Sequence, residues 1–169
     1  MKFIGIDPGR SGGIAVIGTL VATVVVPMPI IVPPKGRFRY DIAAIRDLLV
    51  RAGDDVLVLA EQPMPLPPKF PGGIANYQRG VGEGFEFLCA GLFLPFEFVR
   101  PHEWQKAMHK GASGSDTKQR SLMAAKRLFP GVSLRPTEKS RKDSDGMADA
   151  LLIAEYARRY RSAGQEAKG

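Results

Sequence analysis

Asp7 closes the apolar run Phe3-Ile4-Gly5-Ile6 directly before Pro8-Gly9, and Glu61 closes a second one, Val56-Leu57-Val58-Leu59-Ala60. Asp145 and Asp149 stand four apart in a stretch otherwise rich in Ala, Leu and Ile. Helical spacing puts those two on one face, about one turn from each other. In sheets with parallel strands, ligand chemistry gathers outside the carboxyl ends of neighbouring strands, so Asp7 and Glu61 meet if their strands are adjacent. Four carboxylates in one crevice repel each other unless cations bind. Hard divalent ions are the remedy, and Mg²⁺ takes one or two carboxylates together with phosphate oxygens. Two such ions roughly 3.5–4 Å apart activate a water and stabilise the leaving oxygen of a phosphodiester. Each acid also has a plainer reading. Asp7 shapes a turn, Asp145 caps a helix, and Asp149 is a favourable charge in a helix's first turn. Asp143 competes with Asp145.

A polyanionic substrate agrees with the charge. The 169 residues carry 24 Lys/Arg against 17 Asp/Glu, a formal +7. The excess is local: residues 100–142 hold eleven bases and three acids (+8), and the remainder balances at −1. Charge runs are usually solvated faces, but a basic stripe of this kind is also the footprint of a nucleic-acid partner.

Composition excludes several classes. Apolar residues at 44% and charged residues at 24% describe one folded domain rather than a disordered chain. Cys89, alone and inside Phe87-Leu88-Cys89-Ala90, reads as a core thiol in a reducing compartment, not as part of a disulfide framework. Residues 11–34 carry no charge, yet Pro27, Pro29 and Pro33 interrupt them and Val and Ile dominate, so buried strands suit them better than a membrane span. His102 and His109 are too few and too distant from the acids to suggest zinc.

The elements that must position the acids follow from periodicity. Strands are expected at 1–7, 13–17 and 21–26 as an antiparallel meander, at 56–61 and at 96–100. Asp41 is an N-cap for a helix ending at Gly53; further helices are expected at 77–94, 102–110, 117–129 and 145–159. Residues 62–76 are too rich in Pro and Gly for regular structure. Gly80, Gly82 and Gly84 would admit a close approach of DNA or a second copy; no strand precedes them directly, which argues against a dinucleotide fingerprint. The order implies a single α/β domain over 1–160. Its mixed five-stranded sheet has three antiparallel N-terminal strands, then parallel ones, with helices on both faces, and 161–169 form a frayed tail.

Phe3-Ile4-Gly5-Ile6-Asp7-Pro8-Gly9 with Ser11-Gly12-Gly13, Leu59-Ala60-Glu61-Gln62, and Asp145-Gly146-Met147-Ala148-Asp149 resemble, in that order, the acidic motifs of RuvC-like Holliday-junction resolvases of the ribonuclease H-like superfamily. Val99-Arg100-Pro101-His102-Glu103-Trp104-Gln105-Lys106, Thr117-Lys118 and Leu128-Phe129-Pro130 are similar to phage and chloroplast-type members. The final acids are four apart, as in the chloroplast-type branch, where bacterial RuvC has three. The resemblance implies a homodimeric endonuclease of four-way DNA junctions in recombination or repair. Asp7, Glu61, Asp145 and Asp149 would hold one or two Mg²⁺ or Mn²⁺ ions, and Lys118 the scissile phosphate. Phe70 or Tyr77 would wedge the junction open. Lys69, Arg79, Lys106, Lys110 and Arg120 are candidate phosphate contacts. Trp104 either stacks on a base or packs in a core. A bacterial or phage-infected cytoplasm, or an organelle matrix after presequence removal, is the expected location, with no membrane partner. The rival reading is a junction-binding protein without catalysis. An actin-like ATPase needs two such halves, and the chain accommodates one.

Overall fold

A computed structural model describes residues 1–19, 21–64 and 72–161, the side chains of 72–75 excepted. Strands β1 (Lys2–Asp7), β2 (Gly13–Gly18), β3 (Val24–Pro27), β6 (Val56–Glu61) and β7 (Phe96–Val99) form one sheet in the order β3-β2-β1-β6-β7. β1 is antiparallel to β2 and parallel to β6, and β7 continues the parallel side. This is the mixed sheet expected from the sequence. Two short strands, β4 (Ile30–Ile31) and β5 (Arg39–Tyr40), for which no element was expected, pair as a separate ribbon.

Strand alternation sorts the core into two layers. Ile4, Ile6, Val58 and Ala60 face α1 (Ile42–Ala52) and α2 (Gly72–Gly91), where Ile45, Leu49, Phe85 and Cys89 meet them. Phe3, Leu57, Leu59 and Val99 face α3 (Pro101–Met108), α4 (Thr117–Leu128) and α5 (Asp145–Tyr160). Cys89 is fully buried, as its apolar neighbours suggested, and burial pushes its thiol up to about 12. Asp41 caps α1 by accepting from the Ala44 N–H at 3.0 Å, and Gly53 ends it at φ 80°. α2 begins five residues before the expected Tyr77, so Gly80, Gly82 and Gly84 lie inside it rather than near its start. Gly82 packs closely on Pro63, while Gly80 and Gly84 face open space. Among the described residues, no helix is long and apolar enough to cross a membrane.

α5 lies against the centre of the sheet, where Gly5 and Gly146 permit its close approach, and Gly12 permits the tight β1–β2 turn beneath it. A Cβ on Gly5 would stand 2.1 Å from the Ala150 carbonyl oxygen; one on Gly146 would stand 2.1 Å from that of Ser11; one on Gly12 would meet the Asp7 carbonyl at 2.1 Å. All three contacts are with backbone, which has no rotamer to give way. Gly5→Ala should therefore cost roughly 3 kcal/mol or more, at or beyond the upper end of ordinary overpacking. Gly131→Ala, which meets nothing within 4 Å, should stay within about 0.5 kcal/mol of the parent. Urea unfolding of the two variants checks this; equal stabilities would mean α5 is not held by close backbone contact.

Candidate active site

The parallel register Ile6↔Ala60 brings Asp7 and Glu61 to the same level at the carboxyl ends of β1 and β6. They line a cleft of about 500 Å³ with Arg10, Phe38, Tyr40 and Tyr77. From the other side α5 delivers Asp145 and Asp149. Ser144, not Asp145, is its N-cap, accepting from the Met147 N–H at 3.2 Å, so Asp145 is the first helical residue.

These carboxylates are close enough to shift one another. Burial pushes Asp7 up to about 6 against a backbone hydrogen bond from Gly9, and the Asp145 charge adds to the rise. Glu61 goes up to about 7 through burial, opposed by a hydrogen bond from Trp104 and reinforced by Asp7. Asp149 reaches about 7 through burial, opposed by a hydrogen bond from Ser121 and reinforced by Asp7, Glu61 and Asp145. Asp143 stands apart, with its Oδ2 2.6 Å from Lys126 Nζ. Lys118 Nζ lies 2.6 Å from Asp145 Oδ2, and that bond holds the ammonium above its usual pKa.

Among the described residues, no three acid, histidine or thiol groups are drawn together into a ready-made metal cage. The donor set nevertheless suits a hard divalent cation. It is all oxygen, it is partly buried, and Asp149 Oδ1 is sequestered with no hydrogen-bond partner. A buried carboxylate oxygen left unpaired is costly, and a cation would satisfy it.

The other candidates divide by location. Tyr77 is half-exposed and borders the cleft. Arg79 is exposed on α2 and donates to Asn76 at 2.7 Å. Lys106, Lys110 and Arg120 are exposed on and around α3 and α4. Lys69 and Phe70 lie outside the described residues, as do 162–169 of the expected tail. Trp104 is fully buried, which excludes stacking on a base; its indole N–H instead donates to Glu61 Oε2 at 2.8 Å. Sequence reasoning missed Ser121, buried beside Asp149, because a serine on a basic helix carries no signal. It also missed Phe38, Tyr40 and Arg10. The Arg10 guanidinium sits 5.1 Å above the Phe38 ring, and the Tyr40 hydroxyl donates to the Pro8 carbonyl at 2.8 Å. The charge at Arg10 and the aromatics of the 33–40 loop were the available clue.

No family model and no curated protein matches this chain. Solved structures do. Over 97% of this chain and 96% of the other, it is similar to T. thermophilus RuvC in complex with Holliday junction substrate, with a TM-score of 0.62 and 19% identity. Over 97% of both chains it is similar to a Thermus thermophilus RuvC structure, with a TM-score of 0.58 and 17% identity. The fold is thus that of RuvC, a single α/β domain around a five-stranded mixed sheet.

Raised acid pKa values are also statements about stability. Near pH 5 the folded chain keeps protons on Asp7, Glu61 and Asp149 that the unfolded chain has begun to lose. Their contribution is complete below about pH 4 and is lost as pH climbs through the folded values of about 6 to 7. Melting temperatures in EDTA should fall from pH 5 to pH 8, less so in Asp149→Asn, and Mg²⁺ should raise them more at pH 8. An Asp149→Asn profile parallel to the parent's would contradict the assignment.

Proposed function

We propose that this chain is a metal-dependent endonuclease that resolves four-way DNA junctions as a homodimer, of the phage and chloroplast type. One observation carries the reading: at the carboxyl ends of β1 and β6 in a RuvC-like sheet, Asp7 and Glu61 meet Asp145 and Asp149 of α5, with Lys118 paired to Asp145. A protein that only binds DNA gains nothing from buried negative charge facing its ligand. The four-residue spacing of the last acids and the Pro101…Trp104…Lys106 series support the subtype.

Asp7, Glu61, Asp145 and Asp149 would hold one or two Mg²⁺ or Mn²⁺ ions. When bound, these supply the charge that activates water and stabilises a leaving oxygen. Asp7, on the central strand, occupies the position between Glu61 and the α5 acids. Lys118, 74% exposed, is the cation nearest the acids and would take the scissile phosphate. Lys69, Arg79, Lys106, Lys110 and Arg120 would hold flanking phosphates, and Phe70 or Tyr77 would wedge the junction open. For dimerisation the reading points to α2, which presents Phe87 at 75% exposure. The setting would be recombination, repair or DNA processing, in a bacterial or phage-infected cytoplasm or an organelle matrix.

The test is cleavage of a labelled four-way junction beside a linear duplex, each in Mg²⁺ and in EDTA. Paired nicks should appear on the junction alone, in Mg²⁺ alone. Asp7→Asn should abolish them while leaving junction binding intact or tighter. Lys118→Ala should lower turnover by ~10²-fold. Binding should weaken steeply with salt. Tight junction binding with no cut in Mg²⁺ would favour the non-catalytic alternative.

A further inference from the structure

We propose that Trp104, His109 and Ser121 are positioning residues: an outer layer, built by α3 and α4, that fixes Glu61 and Asp149 in the orientation a divalent cation requires. The inference rests on the metal-dependent reading of the cleft.

The two carboxylates come from different elements, β6 and α5, yet both are held from the same side. Trp104, midway along α3, is completely buried and donates its indole N–H to Glu61 Oε2 at 2.8 Å. An indole nitrogen only donates, so this bond has one polarity. His109, the C-cap of α3, sets its ring edge-on to Trp104, with centroids 5.5 Å apart at 81°. Its Nε2 lies 2.9 Å from the Ser121 hydroxyl on α4, and Ser121, itself fully buried, stands beside Asp149 and opposes the rise that burial imposes on that carboxyl.

The proton count orders this chain. A serine hydroxyl has one proton, and Asp149, once a cation holds it ionised, only accepts. In that state Ser121 would donate to Asp149 and accept from His109, with the imidazole proton on Nε2. The result is a directed relay, His109 to Ser121 to Asp149, lying against the Trp104-to-Glu61 bond through the Trp104–His109 contact. Asp149 Oδ1 is itself buried with no hydrogen-bond partner. Two acids on separate elements are thus tied through one packed aromatic pair. Mere core filling accounts for none of these polar contacts, because Phe, Leu and Ala would fill the same space without buried polar groups.

Carboxylate ligands fixed by outer hydrogen bonds lose affinity when those bonds go, typically 10- to 100-fold. Trp104 is the chain's one tryptophan and touches Glu61, so its fluorescence reads the site without DNA or turnover. Mg²⁺ titrated into the metal-free protein should change the wild-type emission, and Ser121→Ala should need about 10- to 100-fold more Mg²⁺ for half of that change. Trp104→Phe, followed by calorimetry, should weaken Mg²⁺ to a similar degree. Junction affinity in EDTA should stay within about twofold of wild type. Leu152→Ala, a purely apolar core change, should lower the melting temperature without moving the Mg²⁺ midpoint.

Wild-type Mg²⁺ midpoints in Ser121→Ala and Trp104→Phe would overturn the relay and leave the metal site standing. So would an affinity loss that merely follows melting temperature and recurs in Leu152→Ala. A wild-type protein with no Mg²⁺ or Mn²⁺ response would overturn the metal reading and the relay together. If Trp104→Phe fails to fold, Ser121→Ala retains the reporter and decides the question.

Discussion

At Gly5 the backbone of α5 comes so near β1 that a single methyl group would stand 2.1 Å from the Ala150 carbonyl oxygen. Everything at the cleft depends on that contact. β1 is the middle strand of five, flanked on one side by an antiparallel partner and on the other by a parallel one. Asp7 is consequently held by its own pairing with Gly13 on β2 and, through Ile6, by the ladder to β6. Asp145 and Asp149 have no such ladder, and their distance from Asp7 is set by how deeply α5 seats. Gly146 against the Ser11 carbonyl repeats the arrangement one turn before Asp149. Larger residues at either position would lift the helix and open the constellation.

Drawing acids together has a cost that the surroundings share out unevenly. Burial dominates the rise at Asp7, Glu61 and Asp149, and mutual repulsion adds to it. Without a cation, the Gly9 backbone N–H relieves Asp7, and three side chains relieve the others: Lys118 at Asp145, Trp104 at Glu61 and Ser121 at Asp149. The first is an exposed, flexible ion pair, screened by solvent and worth little to stability. The other two are buried and directional. A phosphate group arriving at the cleft would thus find the movable cation at the rim and the fixed donors behind the acids.

Much of this was legible in the chain. Apolar runs ending in acids located Asp7 and Glu61, because a buried strand advertises itself by continuous Val, Ile and Leu. The four-residue interval located the α5 pair, since helical geometry leaves little choice. The alternatives closed only in three dimensions. Asp143 is drawn away by Lys126, a pairing between α4 and the loop before α5 that no local pattern encodes. Ser144 caps α5, which frees Asp145 from that role. The β4–β5 ribbon escaped notice because two-residue strands are too short to show alternation. Helix α2 begins earlier than expected, its glycines having read as loop. Ser121 could not be found at all: its meaning comes from Asp149 and His109, both remote in sequence.

The β4–β5 ribbon touches the cleft through few points. Tyr40 hangs from it, donates to the Pro8 carbonyl just after Asp7, and lines the cleft beside Tyr77 of α2. Phe38, with Arg10 over its ring, forms the adjoining wall. None of these side chains belongs to the two packed layers that carry the acids, apart from the partly buried Tyr40. Ile30 and Tyr40 anchor the ribbon to the layer under α1 and α2. A change in Phe38 or in the length of the ribbon would therefore reshape what the cleft admits while leaving the strands and helix that carry the carboxylates in place.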